Sequence, residues 1–274
     1  MSADTSERMP RPFYDEDGIT LYLGDCRELL NPVLAHHGLP ALVLTDPPYG
    51  DTSLDWDRWP DGWLSALGPA ARQMWCFGSF RMFLGRGREF AEAGWTLGQE
   101  VVWEKHNGSS FHADRFKRVH ELAVHWYRGR WSTLDISPQY VNEATARTAR
   151  TVRRKTRPAH TGHIDASVYR SEDGGPKLQR SVIYSRSMHG SAIHPTEKPA
   201  GIIEPLMRYS TGRGDLVLDP FGGSCSTARV ARTLGRRAVC IEANEEYLER
   251  AVAALRQGVL NLVPAVPSTN PSDA

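Results

Sequence analysis

The sequence predicts an α/β protein, a doubly wound and mostly parallel sheet carrying one basic insertion. Three observations lead there. A short apolar run, Leu216 to Asp219, passes through a helical stretch into a second apolar run, Ala238 to Glu242, the pattern of a βαβ unit. An earlier run, Ala41 to Thr45, meets Asp46-Pro47-Pro48-Tyr49, where two prolines forbid continuing the strand. Between them, Arg128 to Arg186 holds twelve Lys and Arg against five Asp and Glu, a net +7 inside a chain whose formal charge is +1.

The elements follow in order. Strands are expected at Met74 to Phe77, Gln99 to Trp103 and Leu122 to Trp126, separated by glycine-rich or amphipathic stretches. Ser224 to Leu234 reads as a helix stopped by Gly235. Asn244 is placed to cap a last helix, with Glu245 and Glu246 in its first turn, Leu248, Val252 and Leu255 on one face, and Gly258 just past its end. The ends, 1–12 and 259–274, have the composition of disordered or flexible termini, which leaves 13–127 and 191–258 as the two halves of the α/β unit and 128–190 as the insertion.

Composition narrows the function classes. With 40% hydrophobic and 24% charged residues the chain is globular rather than disordered, and its apolar runs fall far short of the ~20 residues of a membrane span. The opening residues mix acids with prolines and lack the apolar core of a secretory signal, so a cytoplasmic protein with no membrane partner is expected. Cys26, Cys76, Cys225 and Cys240 are too scattered for a paired-thiol zinc site and too few for a disulfide scaffold. His120 with His125, and His160 with His163, have no thiol or carboxylate at ligand spacing, so no metal is expected.

Two constellations carry chemistry. In Asp219-Pro-Phe221-Gly222-Gly223-Ser224 a glycine-rich turn follows a strand and opens a helix, which lets backbone amides approach a ligand at the strand end. Glu242 ends the next strand, 23 residues beyond Asp219, where an acid can accept from both ribose hydroxyls of a nucleoside cofactor. Asp46, Pro47, Pro48 and Tyr49 put a carboxylate, an exposed carbonyl and an aromatic face together, a setting for a flat ring bearing an amino group. Trp56, Trp59 and Trp63 follow in a polar loop, as core packing or as a lid.

The order of these motifs is specific. Gly24-Asp25-Cys26 and Asp46 to Gly50 come first, then VVWEKHNG and VHELAVHW, the basic segment, His194 to Pro199 (HPTEKP), and last DPFGGSCST and Glu242. From about Ile19 to Leu255 the chain resembles the amino-directed DNA methyltransferases that use S-adenosylmethionine, in their permuted beta group. The resemblance implies a Rossmann-like fold with a target-recognition region in the basic insertion. It implies that Asp46, Pro47, Pro48 and Tyr49 hold the target base. Asp219, Phe221, Gly222, Gly223 and Ser224 would line the methionine and sugar of the cofactor, Glu242 would bind its ribose, Asp25 would lie near its adenine, and Thr196 and Lys198 would approach its carboxylate end. His120 and Glu121 match a family position without a chemical step assigned to them. Two departures stand out: Cys225 occupies a position where the family often has glycine, and Pro205 is expected to interrupt the helix after HPTEKP.

The substrate follows in part. No Pro-Cys dipeptide supplies a thiolate for carbon methylation, which leaves direct transfer to an exocyclic amine. With Asp leading the tetrad, the resemblance leans to adenine N6, with cytosine N4 as the alternative. The basic segment points to double-stranded DNA with the target base turned out of the helix. Arg147, Arg150, Arg154 and Arg157 recur at helical spacing, and with Arg153 and Lys155 they form the expected DNA-contacting set. A cognate restriction endonuclease and a homodimer are compatible partners. The competing classes are a DNA-binding regulator that has lost chemistry, and an RNA or protein-glutamine methyltransferase.

Overall fold

A computed structural model describes residues 9–69, 71–109, 113–141, 150–153, 168–171, 175–188 and 197–257. In chain order the elements are β1 (Tyr14–Glu16), β2 (Ile19–Leu23), α1 (Cys26–His37), β3 (Leu42–Thr45), α2 (Trp63–Ala66), β4 (Gln73–Gly78), α3 (Phe80–Glu92), β5 (Thr96–Ser109) and β6 (Arg118–Tyr127). They continue with β7 (Tyr140–Val141), β8 (Arg150–Arg153), β9 (Val168–Ser171), β10 (Lys177–Leu178), β11 (Val182–Tyr184), α4 (Ala200–Ser210), β12 (Leu216–Asp219), α5 (Ser226–Thr233), β13 (Arg237–Glu242) and α6 (Glu245–Gln257).

Nine strands form one sheet in the order β1-β2-β13-β12-β3-β4-β6-β5-β11. Neighbours from β2 to β4 are parallel, as is the β5/β11 pair, while β1/β2, β4/β6 and β6/β5 are antiparallel. Every residue of the central strands β3, β12 and β4 is buried, as a sheet covered on both faces requires. One face carries Leu42, Leu44, Val217, Cys240, Ile202, Ala228 and Leu248, which packs α4, α5 and α6 against the sheet. The other carries Val43, Met74, Leu218, Val239, Leu30, Trp63 and Phe90, which packs α1, α2 and α3. A doubly wound α/β fold of three layers results.

Connections leave β12 toward β13 and β3 toward β4, in opposite directions along the sheet, so the carboxyl ends of β12 and β3 flank the point where the order reverses. Ligand crevices of such sheets open there. Local capping holds the surrounding helix starts: Asp25 caps α1 through Arg27 N at 2.8 Å, Ser79 caps α3 through Met82 N at 3.0 Å, and Asn244 caps α6 through Tyr247 N at 3.3 Å.

Three expectations are corrected. Pro205 does not interrupt its helix, since α4 runs unbroken from Ala200 to Ser210. Burial of Ile202, Ile203, Leu206 and Met207 along one face outweighs the single backbone bond that proline removes. Arg150 and Arg153 lie in the strand β8, paired antiparallel with β9, so the helical spacing assigned to the arginines does not describe this backbone. Arg147, Arg154, Lys155 and Arg157 lie outside the described residues. The stretch 128–190 is not wholly an insertion either, because β11 adds a parallel edge strand to the main sheet beside β5.

Candidate active site

A cavity of about 730 Å³ opens at the switch point, lined by both motif sets. Asp25, Asp46, Pro47, Pro48, Tyr49, Lys198, Asp219, Phe221, Gly222, Gly223, Ser224 and Glu242 all face it. The sheet explains the convergence. Leu218 pairs with Val43, so the residues that follow, Asp219 and Thr45 with Asp46, emerge side by side. Glu242 pairs with Leu23 and its carbonyl accepts from Gly24 N at 2.9 Å, which brings Asp25 to the same rim. Thr196 lies outside the described residues.

On the glycine-loop side, the Asp219 carboxylate accepts from Thr45 Oγ1 at 2.9 Å and from Phe221 N at 3.2 Å. Burial pushes its carboxyl up to about 7, against hydrogen bonds from Thr227 and Thr45 that pull it down. Glu242 accepts from Gly223 N at 2.7 Å and from Asn244 N at 2.8 Å, and burial raises its carboxyl despite those bonds. Phe221 sets its ring edge-on to buried Trp63, with centroids 5.2 Å apart. At Gly222 a Cβ would meet Cys225 Sγ at 3.2 Å, Cys240 Cβ at 3.3 Å and Ile241 O at 3.3 Å, so its missing side chain serves the turn's own packing against β13. Cys225 holds φ +51°, a left-handed conformation in which glycine is at home, and buries its thiol completely.

On the tetrad side, Asp46 receives the Tyr49 hydroxyl on Oδ1 and the Lys198 ammonium on Oδ2. Lys198 is 6% exposed and also faces Glu121 Oε2 at 3.4 Å. Burial alone would lower its ammonium, but Asp46 and Glu121 outweigh that and hold it protonated. Glu121 in turn binds Lys105, and although burial pushes its carboxyl up, Lys198 and Lys105 drive it well below the carboxylate range. Lys198, expected at the cofactor's carboxylate end, is buried with its ammonium on the tetrad acid.

Sequence reasoning missed two members, Thr45 and Asp57, and named Glu121 without a role. Thr45 bridges the two motifs. Glu121 reaches the site because β6 runs antiparallel to β4, so its amino-terminal half lies at the switch-point end: Leu122 pairs with Gly78 and Glu121 with Trp103. Its place in VHELAVHW was the only signal. Asp57, 6% exposed, accepts from Tyr49 N at 2.8 Å and Gly50 N at 2.9 Å on one oxygen and from Thr52 N at 2.7 Å on the other. Burial pushes its carboxyl up, and the bonds from Thr52, Gly50 and Tyr49 outweigh that and leave it lowered. One acid thereby folds the loop after the tetrad around itself. Of the three tryptophans, Trp59 and Trp63 are core, at 9% and 0% exposure, while Trp56 lies at the cavity.

Residues 41–253 match the DNA methylase family N6_N4_Mtase, and the chain belongs to that family. Among curated proteins it is similar to the type II methyltransferase M.ScaI of Streptomyces caespitosus, 26% identical over 280 residues that cover 92% of this chain and 86% of that one. Among solved structures it is similar to an M1.HpyAVI–SAM complex, with a TM-score of 0.59, 21% identity, and coverage of 86% of this chain and 98% of that chain. It is also similar to the PvuII DNA methyltransferase described as cytosine-N4-specific, with a TM-score of 0.58, 17% identity, and coverage of 89% and 88%. Both likenesses are likenesses of fold. Among the described residues no helix is long and apolar enough to cross a membrane.

Proposed function

We propose that this DNA methylase transfers a methyl group from S-adenosylmethionine to the exocyclic N6 of an adenine turned out of double-stranded DNA. The observation that carries the proposal is one cavity lined both by Asp46 with Tyr49 and by Asp219 with Glu242. A nucleoside sulfonium suits the residues present. Each Glu242 oxygen keeps a lone pair beyond its backbone bond, enough for two ribose hydroxyls, and Phe221 and Ile241 supply apolar contact. Asp25 stands beside them, at a rim fit for an adenine edge.

When bound, the sulfonium supplies an electrophilic methyl group and leaves as a neutral thioether. The chain's residues present the amine. An aryl amine is a poor nucleophile because its lone pair is spread into the ring. Asp46 and the Pro47 carbonyl accept its two N–H groups and favour a tetrahedral nitrogen whose lone pair forms the new N–C bond. As positive charge grows on that nitrogen, the Asp46 carboxylate stabilises it, and one amine proton leaves by way of the same carboxylate. Tyr49 offers a ring face to the base, and burial keeps its phenol neutral. Nothing in this chemistry needs a protein nucleophile or a metal.

The leaning to adenine rests on the aspartate that leads the tetrad, and cytosine N4 offers a similar amine and is the second reading. Hydrolysis of DNA after incubation with methyl-labelled S-adenosylmethionine, followed by separation of the nucleosides, decides. Label in N6-methyl-2′-deoxyadenosine is expected. Label in N4-methyl-2′-deoxycytidine selects the second reading, and no label in DNA while the cofactor binds supports a regulator without chemistry.

A further inference from the structure

Four alternating charges form a continuous row into the cavity: Lys105, Glu121, Lys198 and Asp46. Lys198 sits on Asp46 Oδ2, the carboxylate oxygen not taken by Tyr49. Glu121 spends Oε1 on Lys105, and its buried Oε2 accepts no hydrogen bond among the described residues, although it lies only 3.4 Å from the Lys198 ammonium. The rings of Phe77 and Tyr49 flank that ammonium at 5.3 and 5.8 Å. Glu121 itself lines the cavity.

This arrangement conflicts with the step assigned to Asp46. A lysine bonded to that carboxylate cancels its field, and the same field must stabilise a cation growing on the base amine. A buried ammonium that leaves Asp46 needs a carboxylate to receive it. Oε2 of Glu121, which already pairs with the ammonium at 3.4 Å, resolves the conflict.

We propose that Glu121 is a positioning residue, the second seat of the Lys198 ammonium. On this view, which rests on the placement of the amine at Asp46, Lys198 guards the carboxylate while the site is free of substrate. When the base amine engages Asp46, the ammonium moves from Oδ2 of Asp46 to Oε2 of Glu121. No net charge enters or leaves the pocket, and Lys105 keeps Glu121 ionised and aimed. The shift is a rotamer adjustment of one side chain between two acceptors already in reach.

The test is steady-state kinetics with cofactor titration on Glu121→Gln, on Lys105→Met/Glu121→Gln, which leaves no stranded Lys105, and on Glu121→Asp. The Gln forms are expected to lose kcat by about 30-fold, while KM for DNA and Kd for the cofactor stay within about threefold, because only the charged transition state feels the misplaced cation. Glu121→Asp, which keeps the charge, is expected to recover most of kcat. Wild-type kcat in both Gln forms overturns the proposal. So does a loss of kcat that Glu121→Asp fails to restore and that follows falling thermal stability and cofactor affinity, since that is a purely structural role. Full turnover of Asp46→Ala in the same assay instead overturns the placement of the amine, and so separates that failure from this one.

Discussion

The Thr45 hydroxyl donates a 2.9 Å hydrogen bond to Asp219 Oδ1 across 174 positions of sequence. It joins the residue before the tetrad to the acid that opens the glycine loop, and both groups are buried. Thr45→Val keeps the shape and removes the donor, so it should cost about 1–3 kcal/mol of folding stability, the range for a buried acceptor left short of a partner. Urea unfolding measures this. Thr45→Ser, which retains the hydroxyl, should lose clearly less, and equal stability of all three proteins would deny the bond its role.

Asp219 also makes stability depend on pH. Burial raises its carboxyl from 3.8 to about 7, so the folded state binds the proton more tightly than the unfolded chain. The resulting contribution is complete below about pH 4 and is lost as pH rises through about 7. Relative to Asp219→Asn, which does not titrate, the wild type should therefore lose stability over that window. Parallel stability curves for the two proteins, or a difference of opposite slope, would contradict the assignment.

Asp57 holds Tyr49, Gly50 and Thr52 by their backbone amides. Asp57→Ala should lower turnover about tenfold or more through a misplaced tetrad, with cofactor affinity within about threefold. Calorimetry of cofactor binding beside a turnover assay reads both. Turnover that survives the change would mean the loop keeps its form without its acid.

The parallel half of the molecule was legible because its signals are local. Leu216–Asp219 was read to the residue, and Ala238–Glu242 differs from β13 only by Arg237. Asp46 and Asp219 fall into one cavity because Asp219 ends β12 and Asp46 directly follows β3 at the switch point, which motif order and strand position already imply. Glu121 was not readable in this way, since its place depends on the antiparallel pairing of β6 with β4 and on Lys105 and Lys198 arriving from elsewhere. Asp57 gives no periodic signal, because an acid that gathers three amides in a loop looks like any solvated loop acid. Pro205 misled through a local rule that tertiary burial overrides.

The basic segment carries the proposed DNA contacts. Charge reversal of Arg147, Arg150, Arg154 and Arg157 to Glu should weaken binding to duplex DNA by about 100-fold or more at moderate salt, and flatten the dependence of affinity on salt. Fluorescence anisotropy across a salt series measures both. Unchanged affinity would remove these residues from the interface.

Asp46 is proposed to act on the base while Asp219 and Glu242 hold the methyl donor. The most direct measurement compares wild type and Asp46→Ala for transfer of labelled methyl groups to DNA and for calorimetric binding of S-adenosylmethionine. Label in DNA from the wild type, a loss of about a thousandfold or more in the variant, and cofactor affinities within about threefold of each other are the predicted result. Undiminished transfer by Asp46→Ala would contradict it.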